Sequence, residues 1–384
     1  MQFDFTTASR TIFGSGKSEA LGDLVSEFGN RALLVAGTSS NRYQEALGSL
    51  TKSDIAYEIF NVSGEPTIEV VRDGVDQAKV SGCDMVIAIG GGSVIDGGKA
   101  IAALVANKGD IYEYLEVIGN GQPLTNPSIP FIAVPTTAGT GSEVTRNAVL
   151  ASKEHKVKVS LRSPFMLPKL ALVDPMLTLS LPPDITATTG MDALAQVLEP
   201  FVSRFSNAFT DLFCREGMER ASRSLKKAYE NGADLSARED MAMASLLGGL
   251  ALANAKLGAV HGFAGPLGGM IPGPHGAICA RLLPIVMEVN IRALRERMSE
   301  SPALQRYHEI GRILTQSDSA SAQDGVERVK DLCQKMDIRP LSDFGLMKDH
   351  FTDAITGASQ SSSMKGNPIV LTENEMEEIL AKAL

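Results

Sequence analysis

Tryptophan is absent from this 384-residue chain, tyrosine occurs six times and histidine only five. The missing indoles exclude no fold, but scarce imidazole makes each histidine worth locating. No run of lysine and arginine supplies a basic patch, and the net charge is −9, so an electrostatic grip on nucleic acid is not expected. No uncharged apolar stretch reaches the about 20 residues of a membrane span, so no membrane partner is expected either. The N-terminus, MQFDFTTASRTIFG, lacks the basic start and apolar core of a secretory signal. The four cysteines, Cys83, Cys214, Cys279 and Cys333, form no CxxC pair and read as free thiols of a reducing compartment. The cytoplasm is the expected location.

What is present divides into two halves. RALLVAGTSS (31–40), CDMVIAIGGG (83–92), PFIAVPTT (130–137) and LALVDP (170–175) are short apolar runs ending in Gly, Pro or hydroxyl residues, and helical spacing separates them. Such alternation predicts a parallel sheet covered by helices, an α/β domain over 1–180. Beyond about residue 180 strand-like runs nearly vanish, and 181–384 reads as an all-α domain. GSGKS (14–18) resembles a phosphate loop, but Thr11 stands where that pattern needs its first Gly, so a turn into a helix is predicted.

Three stretches carry chemistry. In GGGSVIDGGK (90–99), an apolar strand feeds three glycines and a helix, which lets backbone N–H groups at a helix N-terminus approach a phosphate. PTTAGTGSEVT (135–145) places Thr136, Thr137, Thr140 and Ser142 after another strand, at the sheet edge where open α/β folds bind ligands. Together these loops point to a dinucleotide site. Farther on, Asp192 and Gln196 lie four apart on a predicted helix. His261 and His275 then stand fourteen apart in the Gly- and Pro-rich run LGAVHGFAGPLGGMIPGPHGAICA. A carboxylate facing a helical interior needs a partner, and a metal ion held with imidazoles supplies one; a helix start is the competing place for Asp192.

These motifs, in this order along nearly the whole chain, resemble the iron-containing (group III) alcohol dehydrogenase family. Its wider superfamily includes glycerol dehydrogenases and dehydroquinate synthases. The resemblance implies a dehydroquinate synthase-like architecture with a dinucleotide-binding domain (1–180) and a helical metal and substrate domain (181–384). It implies NAD or NADP and a divalent metal, iron first with zinc or another ion as alternatives. The implied ligands are Asp192, His261 and His275, with a third His of the family falling on Gln196, a neutral and weaker donor. A further His of many members falls on Gly265, so no proton relay carries over there. Gly91, Gly92, Ser93 and Asp96 fall on the pyrophosphate loop. Thr136, Thr137, Thr140 and Ser142 would surround phosphate and ribose, with Lys158 near the ribose. Gly37 replaces the Asp of NAD-restricted members, and Thr38, Ser39, Ser40 and Arg42 follow it, which makes NADP acceptable on electrostatic grounds.

The implied reaction is hydride transfer between nicotinamide C4 and the carbinol carbon of an alcohol or aldehyde held by the metal, with Asp192, His261 and His275 as catalytic residues. A homodimer or larger homo-oligomer is implied as well. The rivals are a metal-independent carbonyl reductase, a dehydroquinate synthase-like lyase, and a nucleotide-binding protein without activity. The lyase is disfavoured because the helical-domain motifs carry Leu, Ala, Met, Phe and Gly rather than the Lys and Arg that a phosphorylated sugar acid requires.

Overall fold

The computed structural model describes residues 2–37, 43–155 and 157–384. Contacts divide the chain into a sheet unit, Thr6–Thr137 with Gly141–Ser180, and a helical unit, Leu181–Leu384 with Met1–Phe5 and Ala138–Thr140. The two families of contacts therefore part near residue 180, apart from two short excursions.

The sheet unit is built on six parallel strands, β1 (Thr11–Phe13), β2 (Arg31–Ala36), β3 (Ala56–Asn61), β4 (Met85–Gly90), β5 (Phe131–Pro135) and, after the hairpin β6 (Asn147–Ser152) and β7 (Val157–Arg162), β8 (Leu170–Val173). Their order across the sheet is β1-β8-β5-β4-β2-β3. Strands β4 and β5 are buried along their whole length because both faces are covered, which is why they read as unbroken apolar runs. Successive side chains still alternate. Leu33, Val35, Val86 and Ala88 enter one core, while Ala32, Leu34, Met85, Ile87 and Ile89 enter the other. The helices are α1 (Leu21–Val25), α2 (Gln44–Lys52), α3 (Ile68–Val80) and α4 (Gly92–Ala106). From β2 the chain runs outward to β3, then returns to the other side of β2 as β4. The crevice at the carboxyl ends of β2 and β4 is thus the topological switch point, where such sheets bind ligands.

Two elements escaped the sequence reading. Strand β1 is only three residues long, and the β6–β7 hairpin pairs antiparallel outside the main sheet. The hairpin alternates buried with half-buried residues, a weaker signal than the run it follows. Two amides of the GSGKS turn are taken up within the protein. Gly16 and Ser18 donate backbone N–H groups to the Asp174 carboxylate at 3.1 and 2.9 Å.

The helical unit contains α5 (Pro183–Val202), α6 (Ala208–Glu230), α7 (Leu235–Ala255), α8 (Ala259–Met270), α9 (His275–Arg297), α10 (Pro302–Thr315), α11 (Ala322–Lys335), α12 (Phe351–Gln360) and α13 (Glu373–Ala383). Helix α5 is its axis, packed by α6, α7 and α9. Every residue from Gly190 to Val202 is buried, so this stretch has no solvent face on which a charge could rest. Among the described residues no single helix is long and apolar enough to cross a membrane.

Candidate active site

Asp192 lies in the middle of α5, far from the free N–H groups of a helix start, and its side chain is 2% exposed. Helices α8 and α9 bring its partners. His261 is in the first turn of α8, and His275 opens α9. Gly276 lets α9 come this close, since a Cβ there would stand 2.6 Å from the Thr188 carbonyl of α5. His261 Nε2 lies 3.2 Å from Asp192 Oδ1, and His275 Nε2 lies 3.9 Å from the same oxygen. A fourth group stands among them. The sulfur of Cys279, one turn after His275 on α9, is 3.8 Å from His261 Nε2 and 3.6 Å from His275 Nε2. All four donor atoms lie within 4.8 Å of one another.

These separations test whether the residues suit a metal ion. Bond lengths of about 2.0–2.3 Å in a tetrahedral site put neighbouring N and O donors roughly 3.3 Å apart and N and S donors roughly 3.6 Å apart. The observed 3.2, 3.6 and 3.8 Å sit close to those edges, and the 3.9 Å between His275 and Asp192 is longer than its edge by about 0.6 Å. The tautomer suits an ion too. His261 Nδ1 donates to Glu199 Oε2 at 2.7 Å, so Nε2, which faces Asp192, is the nitrogen that an ion would take in place of its proton. Glu199, two turns after Asp192 on α5, is itself fixed by the Val260 amide at 2.6 Å. The donor set fits a divalent ion.

Electrostatics agree. Burial opposes ionisation of Asp192, but the hydrogen bond from His261, the charges of both imidazoles and the amide of Gln196 together hold its carboxyl at about 2. Burial likewise opposes protonation of His261; Cys279, Asp192 and Glu199 outweigh it and raise the imidazole well above its ordinary value. The charge of Cys279 is the largest influence on His275, which is pushed up to about 9. The cluster therefore attracts positive charge. His275 is its open side, with a side chain 35% exposed against 7% for His261.

Gln196 is buried beside this cluster at 2% exposure, one turn beyond Asp192, and hydrogen-bonds to the Asp192 carboxylate. Its Oε1 is buried without a hydrogen-bond partner. Sequence reasoning had missed Glu199 and Cys279, although spacings of seven from Asp192 and four from His275 place each on the right helical face. Asn367, which precedes Pro368, is buried and caps α8 by accepting from the Ala259 amide at 3.1 Å; it is locked by Asn290 at 2.8 Å. His155, His308 and His350 take local roles: His155 contacts Ser152, while His308 and His350 accept backbone N–H groups near helix starts.

In the sheet unit, the predicted cofactor residues gather by backbone. Gly91 precedes α4, and neither a side-chain cap nor an acidic residue occupies the first turn, so the N–H groups of Gly92 and Ser93 begin a helix end suited to a phosphate. The Thr136 amide donates to the Gly90 carbonyl at 2.9 Å, which sets the two loops side by side. Gly37 follows β2 on the other side of β4, and an added Cβ there would meet only Val94, at 3.9 Å. Thr38, Ser39, Ser40 and Arg42 lie outside the described residues. Thr137 is half-buried beside Gly91; Ala138–Thr140 cluster with the helical unit, where Ala138 joins the core. Asp96 accepts from Ser142 Oγ at 2.5 Å and from the Val149 amide at 2.9 Å, and so ties α4 to the hairpin. Lys99, fully buried, donates to the Ser142 and Asn147 carbonyls, both at 2.8 Å, and to Thr145 Oγ1 at 3.0 Å. Lys158 pairs with Glu65 at 3.0 Å.

A phosphate-ready turn at the switch point of a parallel sheet and a buried carboxylate–imidazole cluster in the helical unit are features of a nucleotide- and metal-binding enzyme. Comparison with known proteins gives the family. Residues 8–175 match the iron-containing alcohol dehydrogenase family model, and residues 186–384 match the C-terminal model of the Fe-containing alcohol dehydrogenase family. The chain is 34% identical to the 1,3-propanediol dehydrogenase of Citrobacter freundii, over 99% of this chain and 98% of that protein. It is also 34% identical to alcohol dehydrogenase 4 of Saccharomyces cerevisiae, over 97% and 96%. A crystal structure of a 1,3-propanediol oxidoreductase superposes with a TM-score of 0.93 at 32% identity, covering all of both chains. The chain belongs to the iron-containing alcohol dehydrogenase family, whose members are oxidoreductases of alcohols and aldehydes that use NAD(P) and a metal, typically iron.

Proposed function

We propose that this chain interconverts short primary alcohols and their aldehydes, with Asp192, His261 and His275 holding the divalent metal and the α4 turn holding the NAD(P) pyrophosphate. The convergence of a carboxylate and two imidazoles from three helices in one buried cluster carries this reading. When bound there, the ion supplies Lewis acidity, and nicotinamide supplies the hydride acceptor or donor.

The protein's own part is positional. Asp192 offsets the ion's charge and, gripped by Gln196, keeps its orientation. Glu199 fixes the His261 ring and its tautomer. Partly exposed His275 marks the side from which a substrate oxygen reaches the cluster. Gly265, one turn beyond His261, has open space around it, and the small side chain leaves room for an alkyl chain. In the sheet unit, the amides of Gly91, Gly92 and Ser93 take the pyrophosphate, with Thr136, Thr137 and Thr140 on the neighbouring loop. Asp96, Ser142 and Lys158 act through the loops they hold, because their side chains are engaged there. Gly37 leaves the choice between NAD and NADP without a repelling carboxylate.

The similarity to 1,3-propanediol dehydrogenases supports a small, uncharged alcohol or diol as substrate. Four free cysteines suit a reducing cytoplasm. A half-exposed apolar face of Phe3, Phe205, Phe209 and Leu212 on the helical unit supports a homodimer or larger homo-oligomer. The decisive experiment strips metal with a chelator and follows the nicotinamide absorbance with 1-propanol and 1,3-propanediol. Turnover is expected to vanish and to return with ferrous or zinc ion. Full turnover in metal-free protein would overturn the reading.

A further inference from the structure

We propose that Cys279 is a protein ligand of the metal, so that in this chain a thiolate joins one carboxylate and two imidazoles around the ion. This inference rests on the metal-binding reading above and concerns which atoms do the binding.

Cys279 follows His275 by four residues on α9, so both side chains leave the helix on one face. Its sulfur stands 3.6 and 3.8 Å from the two Nε2 atoms, the edge lengths of a tetrahedron with one longer metal–sulfur bond. The residue is fully buried in the helical core, and its sulfur stands among the polar donor atoms of Asp192, His261 and His275. Gln196 offers a neutral amide: its N–H donates to the Asp192 carboxylate, and its buried Oε1, which no protein donor satisfies, is an acceptor left for the ion. Of the two candidates, the thiolate is the stronger donor to ferrous or zinc ion.

A thiolate-bound ion is a softer Lewis acid that prefers zinc, cobalt or ferrous ion to magnesium. Loading needs no redox step: the thiol loses its proton to solvent as the metal–sulfur bond forms.

The test uses the full-length protein, stripped of metal and loaded with Co(II). A sulfur-to-cobalt charge-transfer band in the near ultraviolet is expected in the wild type. It should be retained in Cys83→Ser and in Gln196→Ala, and lost in Cys279→Ser with cobalt affinity lowered by about tenfold or more. Circular dichroism reports whether each variant is folded. X-ray absorption on the zinc-loaded wild type needs no variant and should find one sulfur neighbour at about 2.3 Å. One cobalt bound per chain without the band, or only nitrogen and oxygen neighbours at the zinc edge, overturns the ligand assignment and leaves the metal reading standing. A band that survives Cys279→Ser overturns the assignment too. Absence of any bound cobalt, with turnover intact, overturns both.

Discussion

The two units of this chain prepare their sites from opposite materials. The sheet unit offers backbone: a turn of three glycines, an uncapped helix start and a switch point between β2 and β4. Of its charged side chains near that turn, half-buried Asp96 and buried Lys99 hold the hairpin and loop. The helical unit offers side chains: Asp192, His261, His275 and Cys279 project into one point from three helices. Backbone recognition tolerates many side chains but needs space; side-chain recognition tolerates little chemistry but survives only where helices are held in register. The units should therefore fail differently.

The largest effect should come from Asp192→Asn, which keeps the volume and removes the charge. Metal content after dialysis should fall, and kcat/KM for 1-propanol should drop by more than about 100-fold, while NAD(P) affinity is unchanged. A variant with bound metal and near-normal turnover would break the contrast. Next comes Gly91→Val. The backbone there is extended (φ −74°, ψ −176°), so the residue itself can be accommodated, but its bulk enters the turn beside Thr137. Cofactor Kd by fluorescence titration should rise roughly tenfold, about 1.4 kcal/mol, with metal content untouched.

The smallest effect should be Glu143→Gln, which probes the sheet unit's internal charges. Burial raises the Glu143 carboxyl to about 7, although its backbone hydrogen bond and Lys99 pull the other way. The folded state then binds a proton that the unfolded chain releases near its ordinary value of 4.5, so stability falls as pH rises between about 4.5 and 7. The slope from this group is at most about 1.4 kcal/mol per pH unit. Thermal unfolding of Glu143→Gln across that window should be flatter than that of the wild type, with cofactor and metal binding retained. An identical slope would show that the charge is compensated elsewhere.

Much of this was readable in advance, for local reasons. The β4 run is apolar throughout because both its faces are covered, and the glycines at its end mark a tight turn, where a Cβ on Gly90 would stand 2.5 Å from Val94. Asp192 stood out because a carboxylate inside an apolar helical pattern demands a partner. Other features were silent. Strand β1 is too short to show a period, and β6 and β7 form a two-stranded sheet of their own. Glu199 and Cys279 had the right helical spacing, but many residues do. Asn367 meets the α8 start across 108 residues of chain, a pairing that no local pattern encodes.

By itself, then, the sequence determined the alternating and helical halves, the phosphate-ready turn and three donors of the cluster, because periodicity, glycine and buried charge act over one or two turns of chain. Tertiary structure decided which donors meet. Asp192, His261 and Cys279 become neighbours only because α5, α8 and α9 pack together, with Gly276 setting how close α9 can come. Ligand geometry is a property of helix packing, and packing distances are not written in the spacing of any one helix.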